Sequence, residues 1–365
     1  MPLATDILPR LLNRHDLTRD QAAWAMTRIV NGDLTAVQIA AFATALRTKG
    51  ETPTELTGLL DALHAAALPV DIPGPTADIA GTGGDRTGAV NISTMAAVIA
   101  AATGITVVKH GGRAATSTTP GAADLVEHLG ITLDLSPAAA ARVAARAGIT
   151  FLHAPRYNPG LRHAAGARRD LGVPTVFNLL GPLINPARPR HQVIGVADPR
   201  TAPLIADVLA ARGTHALVVH GDDGLDKLTT TTTSRIWKIR NGTVTTTVLD
   251  PTGLGLPRAT PADLRGTTPA GNAATFTALL DGRPGPIRDI VLLNAAALLT
   301  TVDDRTLTDA LTACVNAVDT GAARTTLHRW VTAGRTAEKP ATTLSNPAPA
   351  VRHDHTTTDH PRSPR

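Results

Sequence analysis

At residues 69–75, bounded by Pro69 and Pro75, the chain changes its pattern, and this change limits its fold more than any other feature. Before it, apolar residues recur with a helical period. Thr18 stands as an N-cap before a run through Ala22, Ala23, Met26, Ile29 and Val30, and Gly32 closes it. A second helix is predicted over 36–49, with Ile39, Phe42, Ala43 and Leu46 on one face and Gly50 after it. A third follows Pro53, with Leu56, Leu59, Leu60 and Leu63. Short links between them predict a compact helical bundle.

After the boundary, short apolar or β-branched runs alternate with helical stretches. Strands are predicted at 77–80, 106–108, 149–152, 192–196 and 216–219, and helices over 95–102, 125–129 and 164–171. A hairpin is predicted over 236–249, turning at Asn241-Gly242, and closing helices over 306–318 and 322–333. This alternation predicts an α/β domain whose sheet is covered on both faces. The expected division is a helical unit over 1–72, joined by a helix from about 160–190, an α/β unit over 73–335, and a disordered tail over 336–365. His353, His355 and His360 in that tail read as solvated rather than metal-bound.

Composition removes several function classes. Aromatic residues are 2% of the chain, too few for a platform that stacks single-stranded nucleic acid. Cys314 is the one cysteine, so neither an intrachain disulfide nor a thiolate metal cluster can form. No apolar run approaches the roughly 20 residues that span a bilayer, and residues 1–10 lack a signal-peptide core. A cytoplasmic protein with no membrane contact is expected. The net charge of +5 reads either as a compositional bias toward Ala, Arg, Thr, Gly and Pro or as suited to an anionic ligand, a phosphate-bearing small molecule or nucleic acid. No dense basic run is present, which sets nucleic acid below the small molecule.

Three segments carry the chemistry. Gly81-Thr82-Gly83-Gly84-Asp85 follows a predicted strand, where glycines either make a plain turn or let backbone amides approach phosphate oxygens. It is neither the dinucleotide fingerprint nor a P-loop, because Arg86 stands where the last glycine would be and no Gly-Lys-Ser/Thr follows. Asn91-Ile92-Ser93-Thr94 places polar side chains at a helix N-terminus, a pocket suited to a diphosphate, although Ser93 or Thr94 serving as a plain N-cap explains either one alone. Lys109-His110-Gly111-Gly112-Arg113 closes a strand, at the end where α/β sheets bind ligands.

With Phe177-Asn178-Leu179-Leu180-Gly181-Pro182-Leu183-Ile184-Asn185-Pro186 and His220-Gly221-Asp222-Asp223-Gly224-Leu225-Asp226, these segments resemble the anthranilate phosphoribosyltransferase family in order, to about Gly334. The resemblance implies a helical N-terminal domain and a larger α/β domain with a mostly parallel sheet, of the nucleoside phosphorylase and phosphoribosyltransferase type. It also implies a cleft between the two and a homodimer through the helical domain. The reaction implied moves 5-phosphoribose from phosphoribosyl pyrophosphate (PRPP) to an acceptor, releasing diphosphate, with Mg²⁺ as cofactor. Lys109, Asp85 and Arg168 would do the catalytic positioning and charge stabilisation. Gly81, Thr82, Gly83, Gly84, Asp85, Asn91, Ser93, Thr94, Lys109 and Gly111 would bind PRPP. Gly112, Tyr157, Asn158 and Arg168 would meet the acceptor, and Ser93 and Asp226 would hold the metal.

Four positions depart from the family pattern. Its Asp-Glu pair is Asp226-Lys227 here; its Lys-His-Gly-Asn-Arg has Gly112 for the Asn. The loop over 114–124 is longer by one residue and gains Pro120, and a usual His-Pro is Asn158-Pro159 beside Tyr157 and Gly160. Three of the four fall on the acceptor side. They lead to the expectation of a changed acceptor, an aminocyclitol glycoside of the neamine kind in an antibiotic pathway, with Asp222, Asp223 or Asp124 receiving its cationic groups. The alternatives are an anthranilate enzyme of tryptophan biosynthesis, a nucleic-acid-binding relative without activity, and a pyrimidine nucleoside phosphorylase.

Overall fold

The computed structural model describes residues 2–113 and 120–337; most of the 114–124 loop and nearly all of the expected tail lie outside these. Three helices, Arg19–Val30, Ala36–Lys49 and Pro53–Ala66, begin alike. Thr18, Thr35 and Thr52 each cap the third backbone amide, and Gln21, Gln38 and Glu55 reach back to the cap, so reciprocal bonds satisfy the exposed donors. Glu55 is fully buried and also takes the Leu17 amide at 2.8 Å and Lys49 Nζ at 2.9 Å, pinning the first helices together.

The sheet has seven strands: β1 (Thr76–Gly81), β2 (Thr106–Gly111), β3 (Ile149–His153), β4 (His191–Gly195), β5 (His215–Gly221), β6 (Ser234–Arg240) and β7 (Thr243–Leu249). Their order is β3-β2-β1-β4-β5-β6-β7. The first five are parallel, and β6 and β7 return antiparallel. Asn241 and Gly242 turn the β6–β7 hairpin with φ of 49° and 75°, the left-handed pair that a two-residue turn requires.

Alternation along β4 and β5 joins the sheet to two apolar cores. Val193, Leu217 and Val219 face one that includes the helices Ile92–Ala102, Pro137–Ala147 and Pro286–Val302. Ile194, Ala216 and Val218 face the other, which continues through the Ala202–Ala211 helix into the N-terminal helices and takes in Ala164, Ala167 and Phe177. The helical unit is thus one covering layer of the sheet, and the Arg162–Leu171 helix packs within it.

The helix expected at 95–102 begins at Ile92, so Ser93 and Thr94 lie in its first turn and Asn91 is its cap residue. The helix Pro286–Val302 escapes periodicity because it is buried nearly all round, with Ile290 to Leu299 in one unbroken interior run. The threonines of 229–233 read as polar surface, yet Thr229 and Thr230 are fully buried, and Thr229 donates to Asp223 Oδ2 at 2.7 Å.

Two imidazoles make the fold acid-sensitive. Burial, helped by Arg212 and Arg188, lowers His64 to about 4, and burial, helped by Lys109, lowers His110 to about 3. Both must stay neutral in the fold but charge in the unfolded chain, which binds more protons between pH 6.5 and 4, so stability falls as pH falls through that window. The unfolding free energy is expected to drop by about 4 kcal/mol from pH 7 to pH 4.5. Urea melts across this range check it; a flat profile would contradict it.

Candidate active site

The chain runs β1-β2-β3 to one side and returns on the other side of β1 as β4, so the crevice between the ends of β1 and β4 is the switch point of the sheet. A cavity of about 370 Å³ opens there. Strand ends and the following loop form one wall, and Leu161, Arg168, Phe177 and Asn178 from the helical side form the other.

Glycine serves two purposes in this wall. Gly83 and Gly84 have φ of 67° and 78°, the left-handed region that glycine enters without strain, and both line the cavity. Gly81 and Gly195 instead permit close approach: a Cβ on Gly81 would lie 2.3 Å from Asp226 Oδ2, and one on Gly195 would lie 1.5 Å from the Asp226 carbonyl oxygen. The segment carrying Asp226 therefore rests directly on the two strand ends, and Asp226 Oδ2 accepts the Gly83 amide at 2.8 Å. Gly195→Ala must push this segment away; a loss of about 3 kcal/mol in unfolding free energy is expected. Denaturant melts of the variant check it, and an unchanged midpoint would refute the close contact.

Asn91 makes no cap bond. Its Nδ2 donates to the carbonyls of Pro120 at 2.8 Å and Gly121 at 3.2 Å, and its Oδ1 accepts from Asn272 Nδ2 at 2.8 Å. Ser93 and Thr94 sit past the cap position, which removes the plain-cap reading. Thr94 Oγ1 is buried and has no hydrogen-bond partner among the described residues.

Lys109, near the end of β2, is 2% exposed. Its Nζ donates to the His110 carbonyl at 3.0 Å, and no carboxylate oxygen lies within 4 Å of it among the described residues. Burial lowers its pKa, while Asp78 works the other way. Asp78 is buried in turn, accepting the His110 amide at 3.3 Å and Asn185 Nδ2 at 2.9 Å. A buried ammonium with one neutral partner is costly unless an anion completes it. Asp78 and Asn185 had no assigned role in the sequence; the available signal was Asp78 just ahead of the glycine motif and Asn185 inside the Phe177 to Pro186 motif.

Asp85 lines the loop side of the cavity and accepts from the Thr87 amide at 3.1 Å and hydroxyl at 3.2 Å. Burial opposes its ionisation, but Lys227 and these bonds outweigh burial and hold it at about 2. Lys227 Nζ reaches Asp85 Oδ2 at 3.4 Å and contacts Asp226 Oδ1 directly.

On the facing wall, the Arg168 guanidinium lies 5.5 Å from the centre of the Phe177 ring. Burial lowers its pKa, and no carboxylate lies within 4 Å of it among the described residues. Arg113 differs: it is half exposed and paired with Asp124 at 2.6 Å and Glu127 at 2.8 Å. Gly112 leaves room, since among the described residues a Cβ there would meet only Ala154 Cβ at 3.8 Å.

Gly81, Thr82, Gly83, Gly84, Asp85, Asn91, Ser93, Thr94, Lys109, Gly111, Gly112, Arg168 and Asp226 are therefore brought to one cavity. Two expected acceptor residues are not. Tyr157 is fully buried with its hydroxyl donating to the Leu135 carbonyl at 2.7 Å. Asn158 is 4% exposed and donates to the Ile184 carbonyl at 3.4 Å, behind His110. After β3 the chain turns through the short helix Ala154–Tyr157, which leaves Ala154 on the cavity and carries Tyr157 back into the core. The carboxylates offered for a cationic acceptor also lie outside the cavity lining. Asp222 holds Arg235, Asp223 holds Thr229 and Thr231, and Asp124 holds Arg113.

Comparison with known proteins agrees with this architecture. Residues 5–67 match the glycosyl transferase family, helical bundle domain, and residues 73–324 the glycosyl transferase family, a/b domain. The anthranilate phosphoribosyltransferase of Streptomyces griseus subsp. griseus is 51% identical over 333 residues, 90% of this chain and 94% of that one. That of Acidothermus cellulolyticus is 53% identical over 343 residues, 92% and 96% of the two chains. Among solved structures, the anthranilate phosphoribosyltransferase of Thermus thermophilus superposes with a TM-score of 0.86 at 36% identity, covering 91% of this chain and 100% of that one. The Saccharomyces cerevisiae enzyme in complex with PRPP and Mg superposes with a TM-score of 0.85 at 26% identity, covering 92% and 98%. Among the described residues, no helix is long and apolar enough to cross a membrane.

Proposed function

The chain belongs to the anthranilate phosphoribosyltransferase family, and from that premise we propose that it moves 5-phosphoribose from PRPP to the amine of anthranilate. Transfer of phosphoribose from PRPP is the family's reaction; the acceptor rests on the wall opposite the glycine loop. The observation that carries it is Arg168, a cation without an acidic partner among the described residues, held by Phe177 on the cavity lining. A guanidinium so placed suits a small planar acid. It opposes a polycation, and the two carboxylates on the described lining, Asp85 and Asp226, are occupied by Lys227. The roughly half-identical relatives support the same acceptor, and nothing in the described cavity favours an aminocyclitol glycoside. The departure at Gly112 is then a change of fit, and that at Asn158 lies behind the cavity wall.

In the reaction, the acceptor nitrogen forms a bond to ribose C1 as the C1–O bond breaks. Diphosphate leaves with the electron pair, and the amine proton passes to water. Positive charge develops on the sugar and negative charge on the leaving group, so the protein's work is positioning and charge stabilisation. Lys109, the glycine loop (its Gly83 amide already held by Asp226) and the first turn of the Ile92–Ala102 helix line the phosphate side, and Arg168 orients the acceptor. Mg²⁺ is bound with PRPP in the yeast relative. Here the Ser93 hydroxyl and an Asp226 oxygen are hard donors suited to Mg²⁺ that arrives on the diphosphate. Bound there, Mg²⁺ neutralises leaving-group charge. The residues do not fit a second ion held by protein alone. Lys227 spans Asp85 and Asp226, and no three His, Cys, Asp or Glu side chains converge among the described residues. The homodimer implied by the family stays part of the proposal; Leu12 and Val37, 72% and 78% exposed on the helical unit, are apolar surface consistent with it.

Diphosphate release from PRPP with Mg²⁺ tests the reading, run with anthranilate, with neamine and with no acceptor. Anthranilate is expected to drive release and neamine to leave it at background. Release with neamine alone would overturn the acceptor.

A further inference from the structure

We propose that the Lys227 ammonium is the resident counter-cation of the diphosphate site, seated where Asp85 and Asp226 would otherwise hold a metal ion of the protein's own. The proposal rests on the phosphoribosyl-transfer reading and deepens it.

Lys227 follows Asp226 on the segment packed against Gly81 and Gly195. Its side chain is 17% exposed and lies on the cavity lining beside the glycine loop. Both acids it touches are fixed by other bonds, Asp226 by the Gly83 amide and Asp85 by Thr87, so the ammonium meets a preformed pair. Two adjacent carboxylates at the mouth of a phosphate pocket are a site for a divalent cation. With Lys227 between them, a metal ion held by this pair alone, without diphosphate, must first expel a largely buried ammonium and leave it unpaired, which disfavours the exchange.

An ammonium has three donors. Two point to Asp226 and Asp85; the third has no partner among the described residues and is available to the cavity. Two consequences follow. The donor-free protein binds no divalent ion at this pair, so metal enters only on the diphosphate. The third N–H then makes a charge-assisted bond to the departing diphosphate.

The test is titration of donor-free protein with Mn²⁺, reading free Mn²⁺ by electron paramagnetic resonance. The native protein is expected to show no site tighter than about 1 mM. Lys227→Glu, with its fold checked by circular dichroism, is expected to gain one Mn²⁺ site at least about tenfold tighter than anything in the native protein. Lys227→Met is expected to weaken PRPP binding about tenfold by calorimetry. One Mn²⁺ bound at micromolar concentration by the native protein would overturn the proposal, whichever variants fold. So would a folded Lys227→Glu with no added site, or a Lys227→Met that binds PRPP as the native chain does. None of these readings needs turnover. Absence of diphosphate release with every acceptor would therefore count against the transfer reading and leave the metal result to stand separately.

Discussion

Lys109→Met is expected to lower kcat/KM by about 10³-fold, the scale of removing a preorganised charge-stabilising donor. The side chain is buried, its one hydrogen bond goes to the His110 carbonyl, and no carboxylate stands within 4 Å among the described residues. An ammonium in that setting is underpaired until an anion arrives, so its interaction is strongest with the diphosphate and with the charge that grows there as the C1–O bond breaks. Met keeps the length of the chain and its packing, which separates charge from shape. Steady-state kinetics with both substrates varied is the measurement, with circular dichroism to confirm the fold. Activity within threefold of the parent would mean that the Lys109 ammonium does not meet the phosphates.

Arg168→Gln is expected to lower kcat/KM for anthranilate by about 10²-fold, the worth of one lost charge-assisted pair. KM for PRPP should move less than about threefold, because Arg168 stands on the helical wall, opposite the glycine loop. The Phe177 ring holds the guanidinium plane in place, so little side-chain freedom is lost when a carboxylate binds. A parallel loss for both substrates would move Arg168 from acceptor recognition to general support of the cleft. An unchanged kcat/KM would remove the observation on which the acceptor rests.

Much of this protein was legible before its fold was known. The N-terminal helices follow from apolar spacing, the Thr18 cap and the closing glycines, signals that act within one turn of chain; the reciprocal boxes at all three starts emerged with the structure. Asn241-Gly242 specified its hairpin because few residue pairs accept two left-handed φ angles in succession. The residues proposed to meet the phosphates cluster in short motifs, so local order already placed the glycine loop and Lys109 at strand ends and the Asn91 segment at a helix N-terminus.

What stayed hidden depends on partners distant in the chain. The helix Pro286–Val302 shows no apolar face because it is enclosed on all sides, and burial of that kind leaves no period to read. Tyr157 and Asn158 occupy the acceptor motif, yet one turn of helix sends them into the core and behind His110. Gly195 owes its role to Asp226, thirty-one residues later, whose backbone fills the space of a missing Cβ. Lys227 departs from the family pattern in the sequence, but only the structure sets its ammonium between Asp226 on one strand connection and Asp85 on another. Sequence alone determined the local turns, caps and motif chemistry, since each is satisfied within a few residues. Tertiary structure decided which charges meet, because a charge's partner is set by packing across the sheet and not by its neighbours in the chain.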